Sequence, residues 1–219
     1  MSKSRVVDIG IASFVLLVLA PVMVLIAGRI AFDRSGSVFY RQQRVGRGGS
    51  PITIHKFRTL RASADDTVEV APDDDPRITR PGRWLRRWRL DELPQLIDVL
   101  LGRMALVGPR PETARNLIYV PAELTAQLHA VRPGLTSDVA MRFLAEDQVL
   151  ANQADPVEVY RRVMVPAKVA QDVRALSRRS LLGDLRILMC TPIAVLSAAG
   201  WARSRRHLEA LIDQASPLE

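Results

Sequence analysis

The sequence has few residues that form covalent or metal cross-links. Its 219 residues include a single cysteine, Cys190, so no disulfide can form within the chain. The three histidines, His55, His129 and His207, lie far apart, and this spacing does not indicate a Cys/His metal site. This composition is typical of a reducing compartment.

Glycine and acidic residues are also in short supply. The 12 glycines exclude a collagen-like structure, and 48% hydrophobic residues provide enough apolar surface for a core, which excludes wholesale disorder. The length predicts one domain with appendages. The 31 basic residues outnumber the 23 acidic ones, and the resulting net charge of +8 favours anionic partners such as nucleic acid, phosphorylated small molecules or acidic lipid head groups.

The longest uncharged stretch runs from Ile9 to Gly28 and reads IGIASFVLLVLAPVMVLIAG. Its length and composition meet the criterion for a membrane-embedded helix. A cleaved signal peptide is the alternative, because Lys3 and Arg5 precede the apolar stretch. The stretch is longer than a typical signal segment and lacks a clear small-x-small cleavage site, so we predict a membrane-embedded helix.

Pro21 divides this stretch and bears on its path through the bilayer. The segment from Ile9 to Ala20 would extend about 18 Å as a helix, little more than half of a hydrocarbon core about 30 Å thick. Proline favours a bend, but membrane helices tolerate proline. Basic residues flank both ends of the stretch, so they give no clear positive-inside asymmetry. These residues alone leave a re-entrant helix and a spanning helix equally open.

Two β-rich stretches follow, at residues 37–43 and 51–58, and the glycine-rich segment VGRGGS separates them. This pattern predicts a β-hairpin. Alternation along the second strand places Lys56 and Arg58 on one face. Residues 62–75 contain five Asp and one Glu without periodicity, which predicts an acidic loop.

The second half of the chain is mostly helical in pattern. Residues 90–102 repeat apolar side chains at the i, i+3, i+4, i+7 spacing of an amphipathic helix, with Asp91, Gln95 and Asp98 on the opposite side. From Glu112 onward the helical pattern continues, with an interruption at Arg132-Pro133-Gly134.

Asp91 and Glu92 are adjacent acids that follow a run rich in arginine, including Arg86 and Arg89. Helix capping would explain an isolated acidic pair. The arginines are expected to keep both carboxylates ionised. Ionised carboxylates beside arginines suit a phosphorylated substrate bound through a divalent cation, and a carboxylate can also attack phosphorus directly.

Four further cations are candidates for phosphate binding. Arg110 lies between two prolines and Arg132 precedes a Pro-Gly pair, so both guanidinium groups are carried by stiff turns. Lys56 and Arg58 share a strand face. A salt bridge or a solvated face would explain each residue by itself, whereas all four together with the acids predict a phosphate-directed site.

Tryptophans and a late apolar stretch indicate further contact with a membrane. Trp84 and Trp88 are four residues apart among arginines, a composition typical of a surface at the level of lipid head groups. The stretch from Ile187 to Ala199 fits a core helix, a subunit contact or a membrane-facing helix. We favour the last, because WARSRR follows at residues 201–206.

Four motifs follow the apolar helix in order: Lys56-Phe57-Arg58-Thr59, Leu90-Asp91-Glu92-Leu93-Pro94-Gln95, Leu106-Val107-Gly108-Pro109-Arg110-Pro111 and Val131-Arg132-Pro133-Gly134-Leu135-Thr136. Together they resemble the motifs of the bacterial sugar transferases, the monotopic phosphoglycosyl transferases, in their small form with a catalytic domain only. The resemblance runs from about Arg5 to Thr191, most of the chain.

The resemblance implies an α+β fold that is predominantly helical. It implies a re-entrant N-terminal membrane helix with its flanks at residues 1–36. It assigns residues 37–219 to a catalytic domain with a small β-hairpin and amphipathic interfacial helices around the active site. Both ends of the membrane helix would lie on the cytoplasmic side of the bacterial inner membrane, together with the catalytic domain.

The resemblance also implies a reaction, the first membrane step of glycoconjugate or exopolysaccharide synthesis. A sugar-1-phosphate would pass from a UDP-sugar to undecaprenyl phosphate, with release of UMP. Asp91 would be the nucleophile that forms a phosphosugar-aspartyl intermediate and would contact the cofactor Mg²⁺, while Glu92 would be its partner acid. The residues expected to bind substrate or cofactor are Lys56, Arg58, Arg86, Arg110, Pro111, Arg132 and Asp172. Among them, Lys56, Arg86, Arg110 and Arg132 would be the phosphate-binding cations.

The expected partners are therefore the UDP-sugar, undecaprenyl phosphate and a phospholipid membrane. Nucleic acid is not expected, and self-association into a homodimer is allowed. A protein of a different class is the alternative: a non-catalytic, membrane-tethered protein that binds nucleotide-sugar or a polyanion. The acids within the basic run argue against polyanion binding, which would also be indifferent to Asp91.

Overall fold

The computed structural model describes residues 3–33, 36–61 and 71–215, and most of the predicted acidic loop, residues 62–70, lies outside them. Within these ranges the helices are α1 (Lys3–Asp33), α2 (Arg80–Arg87), α3 (Gln95–Leu100), α4 (Ala114–Leu117), α5 (Ala122–His129), α6 (Asp138–Arg142), α7 (Glu146–Leu150), α8 (Pro156–Val159), α9 (Val165–Leu176), α10 (Leu181–Leu196) and α11 (Ala198–Ala215). The strands are β1 (Phe39–Val45), β2 (Pro51–Phe57), β3 (Ala105–Val107) and β4 (Gly134–Thr136). The prediction of a mostly helical chain with small sheets is confirmed.

Strands β1 and β2 form the predicted hairpin, antiparallel from the Phe39 and Phe57 pair to the Val45 and Pro51 pair. Its turn contains Gly48, whose φ of 70° is readily adopted only by glycine. One face of β2 packs into the core, and Lys56 extends from the same strand toward the candidate site.

Strands β3 and β4 form a parallel pair that the sequence did not indicate, because three residues each are too few for an alternating pattern. The pair is very close at its end. A Cβ on Gly134 would lie 2.1 Å from the amide nitrogen of Gly108, so there is no room for a side chain at either glycine. The predicted interruption at residues 132–134 is therefore the entry into a strand, and this contact fixes the turn that carries Arg110.

Helix α1 continues through Pro21 as one helix of 31 residues, about 46 Å measured along its axis. Among the described residues, its segment Arg5–Asp33 is the single helix long and apolar enough to cross a membrane, unless the bent pair α10 and α11 is counted as a second span. Among its described apolar side chains only Ala12, Ile26 and Ile30 are buried, and many others are exposed, including Phe14 and Leu17. Exposed apolar surface of this extent indicates association with a membrane.

Both halves of α1 pack against the rest of the chain. Near its beginning, the guanidinium of Arg5 donates to the carbonyl oxygens of Val99 and Leu100, at 2.6 and 3.0 Å. Near its end, Ile30 is fully buried in a cluster with Phe57 of β2. The helix is thus attached at two separated points to the elements that carry the candidate site.

The amphipathic helix predicted over residues 90–102 is shorter, α3 being Gln95–Leu100. Its apolar side is in the core at Leu96, as predicted, but its polar side is buried as well. Its polar side faces the protein: Asp98 is fully buried and accepts hydrogen bonds from the main chain and ring of His55, both at 2.9 Å. Ile97, on the predicted apolar side, is 41% exposed. The reason is that β2 packs against the side of α3 that carries Asp98, where buried partners satisfy the carboxylate.

Helices α10 and α11 meet at an angle of 95° at Ser197. A stripe of exposed apolar side chains runs along α10, at Leu181, Leu182, Leu185, Met189, Ile193 and Leu196. The late apolar stretch therefore contributes mainly surface rather than core, as a membrane-facing helix would.

Candidate active site

The acidic pair lies in a tight turn rather than in a helix. Helix α2 ends at Arg87, and Arg89 then adopts a left-handed conformation with φ of 53°. Such a conformation is uncommon for a residue with a side chain. A 3-10 turn, Leu90–Glu92, follows at once. It carries the Asp91 and Glu92 dyad and is called the dyad turn below. The sharp change of direction at Arg89 brings both acids to the wall of a cavity.

This cavity has a volume of about 750 Å³ and two chemically distinct ends. One end is lined by charged side chains from β2, the dyad turn and α9. The other end is apolar and lies between α1 and α10, where it is lined by Ile11, Val15, Leu19, Leu188, Pro192 and Val195. A molecule with a phosphorylated head and an apolar tail would match this division.

Glu92 is held by two cations. Its Oε1 accepts from the ammonium of Lys56 at 3.0 Å, and both its oxygens accept from the guanidinium of Arg110, at 2.6 and 3.2 Å. Burial alone would raise the pKa of Glu92, but the charges of Arg110 and Lys56 outweigh it and hold this pKa well below its usual value. Glu92 is therefore a weak base whose oxygens are occupied.

Asp91 has the opposite environment. Its side chain is 7% exposed, and its Oδ1 has no hydrogen-bond partner within the described part of the chain. Burial and the neighbouring charge of Glu92 raise the pKa of Asp91, against the opposing charges of Lys56, Arg89 and Arg86. The expected effect of the arginines, a stabilised carboxylate, therefore holds for Glu92 but is outweighed by burial at Asp91.

Arg86 and Arg58 also line the cavity. The Arg86 guanidinium pairs with Asp147 at 3.0 Å and donates to the carbonyl of Ala71, while its buried Nε has no partner among the described residues. Arg58 instead donates to the main chain of Ser37 at 2.8 Å, so its guanidinium is directed to the end of the hairpin.

Asp172 lies on α9 and is 4% exposed. Its oxygens accept from the main-chain nitrogen of Arg110 at 3.3 Å and from the hydroxyl of Ser137 at 3.2 Å. Burial raises the pKa of Asp172 to about 7. Asp172 thus fixes the turn that presents Arg110 to Glu92.

Two of the predicted binding residues, Pro111 and Arg132, are outside the cavity wall. Pro111 contributes only its carbonyl oxygen to the neighbourhood, as the acceptor of a 3.0 Å bond from Arg44. Arg132 is partly exposed at the start of β4 and is not among the residues that line the cavity. The remaining predicted residues, Lys56, Arg58, Arg86, Asp91, Glu92, Arg110 and Asp172, line one cavity.

Several polar residues of the cavity wall were not predicted from the sequence. They are Arg44, Arg89, Glu146, Asp147, Tyr160 and Lys168. They come from five separate segments, and none carries a recognisable motif. The adjacent acids Glu146 and Asp147 at the start of α7 offered the strongest signal, but such a pair is also typical of an ordinary helix N-terminus.

The residues present fit one protein contact to a magnesium ion. Among the described residues, no three His, Cys, Asp or Glu side chains form a group that could hold a metal. The buried, unpaired Oδ1 of Asp91 is one free anionic ligand in the cavity. Mg²⁺ commonly binds through one or two carboxylates together with substrate phosphates and water, and this donor set suits that mode.

The chain matches the family model described as bacterial sugar transferase over residues 1–198. Three curated relatives illustrate the similarity. A UDP-glucose:undecaprenyl-phosphate glucose-1-phosphate transferase of Caulobacter vibrioides is 36% identical over 198 residues, which cover 89% of this chain and 70% of the relative. An exopolysaccharide production protein of Rhizobium leguminosarum is 37% identical over 202 residues, with 88% and 94% covered.

The third relative, from Bacillus subtilis, is a putative undecaprenyl-phosphate N-acetylgalactosaminyl 1-phosphate transferase. It is 42% identical over 113 residues, which cover 51% of this chain and 63% of the relative. The family match covers nearly the whole chain, including the dyad turn, the hairpin and the Arg110 turn. The chain therefore belongs to the bacterial sugar transferase family and is an enzyme of that family.

Proposed function

We propose that this enzyme transfers a sugar-1-phosphate from a UDP-sugar to undecaprenyl phosphate in two covalent steps on Asp91. The observation that carries the proposal is the contrast within the dyad. Asp91 keeps a buried, unpaired oxygen at the cavity, whereas Lys56 and Arg110 occupy Glu92. The names of the Caulobacter and Rhizobium relatives support UDP-glucose as donor and exopolysaccharide synthesis as the pathway class.

In the first step, an oxygen of Asp91 attacks the phosphorus that bears the sugar. The bond from that phosphorus to the oxygen bridging the two phosphates breaks, and UMP leaves with this oxygen and the bonding electrons. A new bond joins the Asp91 carboxylate to the sugar phosphate. Arg86, whose Nε is unpaired and buried at the cavity, is available to stabilise the negative charge on the reacting phosphates.

In the second step, a phosphate oxygen of the lipid acceptor attacks the same phosphorus. The bond to Asp91 breaks, the carboxylate is restored, and the product is a diphosphate-linked sugar on the lipid. The low pKa of Glu92 makes it too weak a base to abstract a proton efficiently. Its role in both steps is instead to hold Lys56 and Arg110 in place.

Mg²⁺ is the cofactor we propose, with Asp91 as its protein contact. When bound, it would neutralise charge on the diphosphate of the donor and so lower the repulsion between that diphosphate and the carboxylate. Lys56 and Arg110 supply further positive charge at the same end of the cavity.

We propose that α1 enters and leaves the membrane on one side, the cytoplasmic face of the bacterial inner membrane. The support is its two attachments, Arg5 to α3 and Ile30 to β2, because a straight span would separate those points by the thickness of a bilayer. The exposed stripes of α1 and α10 would then face lipid, and the apolar end of the cavity between them would admit the polyprenyl chain.

The pH dependence of turnover follows from the environment of Asp91. Burial and the charge of Glu92 raise the pKa of Asp91 above the ordinary aspartate value of 3.8, and only the carboxylate form is nucleophilic. We therefore expect kcat/KM to decrease as the pH falls, with a midpoint above 3.8. Replacing Arg89 with methionine removes a positive charge that stabilises the carboxylate, so the midpoint should move to higher pH. An unchanged midpoint, measured as UMP release between pH 4 and 9 in that variant, would contradict this assignment.

The function itself is tested by measuring UMP release from UDP-glucose and undecaprenyl phosphate in lipid nanodiscs with Mg²⁺. We expect release that requires both substrates for complete turnover and that stops when EDTA removes the metal. Binding of UDP-sugars without UMP release from any of them would instead support a non-catalytic binding protein. Full turnover in EDTA would remove the metal from the proposal.

A further inference from the structure

Four residues from three segments form a second polar group on the cavity wall, referred to below as the Lys168 cluster. It consists of Phe143, Glu146, Tyr160 and Lys168, all of which line the same cavity as Asp91. The two-step chemistry at Asp91 uses none of them. A charged group that lines a substrate cavity and has no role in the reaction either binds part of a ligand or stabilises the fold.

Lys168 is the centre of the cluster. Its side chain is 5% exposed, and its ammonium forms an ion pair with Glu146, whose side chain is 15% exposed. The same ammonium lies over the rings of Tyr160 and Phe143, at 4.8 and 5.2 Å from their centroids. A lysine ammonium is an unusual group to bury, and here one carboxylate and two aromatic rings stabilise it.

The backbone at Tyr160 is also unusual. Tyr160–Met164 forms a single turn of π-helix between α8 and α9, and such turns occur frequently at functional sites. The hydroxyl of Tyr160 donates to Glu112, at 3.3 Å from the nearer oxygen. The wide turn therefore fixes one aromatic wall of the cluster against the chain that follows the Arg110 turn.

The cluster adjoins the reacting end of the cavity through Arg110. On one side, the Arg110 guanidinium binds Glu92, the partner of Asp91. On the other, its main-chain nitrogen binds Asp172 on α9, one helical turn after Lys168. A donor whose phosphate lies at Asp91 and Arg110 would have its adjoining group within reach of the cluster.

We propose that the Lys168 cluster is the subsite that recognises the hydroxyl groups of the transferred sugar. This inference rests on the proposed function, since it assigns a part of the same donor. Glu146 would accept hydrogen bonds from sugar hydroxyls, and the ammonium of Lys168 would donate to their oxygens. Such charge-assisted bonds discriminate between stereoisomers, because a misplaced hydroxyl leaves a buried charged group unpaired.

The arrangement fits a sugar better than the uracil base of the donor. A base would be recognised by stacking on an aromatic face. The Lys168 ammonium already covers one face of Tyr160 and one of Phe143, and His207 makes a T-shaped contact with Phe143, with ring centroids 5.6 Å apart. The polar groups of the cluster thus remain the features available to a ligand.

The relatives give a reason to expect a variable sugar subsite. The Caulobacter relative is named for glucose, and the Bacillus relative is named for N-acetylgalactosamine. These sugars differ at C2 and in the orientation of the C4 hydroxyl, whereas both names give undecaprenyl phosphate as the lipid. Selectivity between sugars is therefore expected to depend on cavity residues other than those that bind the phosphates.

The test compares the selectivity of Glu146→Gln and of Lys168→Met with that of the natural chain. UMP release is measured with UDP-glucose, UDP-galactose and their two N-acetylhexosamine counterparts, and UMP itself is used as an inhibitor. We expect the ratio of kcat/KM between the best sugar and its C4 epimer to change by about tenfold or more in each variant. Inhibition by UMP, which has no sugar to be transferred, should remain unchanged.

Matched controls separate this role from a structural one. Glu158→Gln makes the same chemical change on α8, in an exposed ion pair with Arg162 of the following turn, and should leave every ratio unchanged. If a single variant fails to fold, the double variant Glu146→Gln with Lys168→Met is tested in its place, because it removes both charges together. Thermal unfolding of each variant is measured alongside activity.

Unchanged sugar ratios in folded variants would overturn the proposal, and so would weaker inhibition by UMP, which would assign the cluster to the nucleotide. Loss of a cooperative unfolding transition in all three variants would make the cluster a structural ion pair and overturn it as well. Failure of the natural chain to release UMP from any of the four donors would instead refute the proposed function.

Discussion

Replacing Asp91 with asparagine is expected to lower the rate of UMP release by about 10³-fold or more, with the fold intact. The loss of a covalent nucleophile is among the largest effects of a single substitution, because no other group can take over bond formation. Glu92 cannot substitute, since Lys56 and Arg110 occupy its oxygens and keep its basicity low. The measurement is UMP release with saturating UDP-glucose and undecaprenyl phosphate in nanodiscs.

The same substitution is not expected to destabilise the protein. Asp91 is a buried carboxylate with an unpaired oxygen, and burial disfavours its charged form. A neutral amide of the same size should therefore leave the melting temperature unchanged or raised. Asp213→Asn, on the exposed side of α11, is the matched control and should change neither property. Undiminished turnover in the Asp91 variant would remove the nucleophile assignment.

Replacing Glu92 with glutamine is expected to have the second largest effect, on both stability and activity. The change leaves Lys56 and Arg110, whose side chains are 16% and 27% exposed, without their shared counter-charge. Breaking a fully buried pair typically costs about 3–5 kcal/mol, so we expect a loss near the lower end of that range, about 3 kcal/mol. Because both cations would then shift away from their positions at the cavity, we expect kcat/KM to fall by about 10²-fold. Urea unfolding and UMP release measure the two effects.

The stability effect should depend on pH with a defined sign. The folded pKa of Glu92 lies well below its ordinary value of 4.5, so its stabilisation is complete above that value and is lost as pH falls toward the folded pKa. The difference in unfolding free energy between the natural chain and the variant should shrink over that acidic range. The exposed control Glu158→Gln should differ little from the natural chain in unfolding free energy at any pH. A Glu92→Gln variant with normal stability and turnover would contradict the positioning role assigned to Glu92.

Local features of the fold were accessible from the sequence because short-range physics determines them. The hairpin follows from strand propensity and a glycine-rich turn, and the apolar N-terminal helix follows from twenty consecutive uncharged residues. The parallel pair β3 and β4 was missed because each strand has three residues. The burial of the polar side of α3 was also missed, since the buried partners of Asp98 come from β2 and the loop after the helix, at Arg103.

The candidate site was only partly accessible for a related reason. Lys56, Asp91, Glu92 and Arg110 belong to motifs that can be read in the sequence, and the structure brings all four to one cavity wall, where Lys56 and Arg110 donate hydrogen bonds to Glu92. Lys168 and Tyr160 reach the same cavity from helical segments more than forty residues beyond the last of those motif residues. A single lysine on a helix carries no local signal, so its proximity to the site depends entirely on tertiary packing.

The most direct test of the central claim is mass spectrometry of the enzyme after rapid denaturation during turnover with UDP-glucose and no lipid acceptor. We expect a fraction of the protein to gain the mass of one glucose phosphate, located on the peptide that contains Asp91, and to lose it when undecaprenyl phosphate is added before denaturation. The Asp91→Asn variant should show no such adduct. Normal turnover without any adduct on Asp91 would contradict the account.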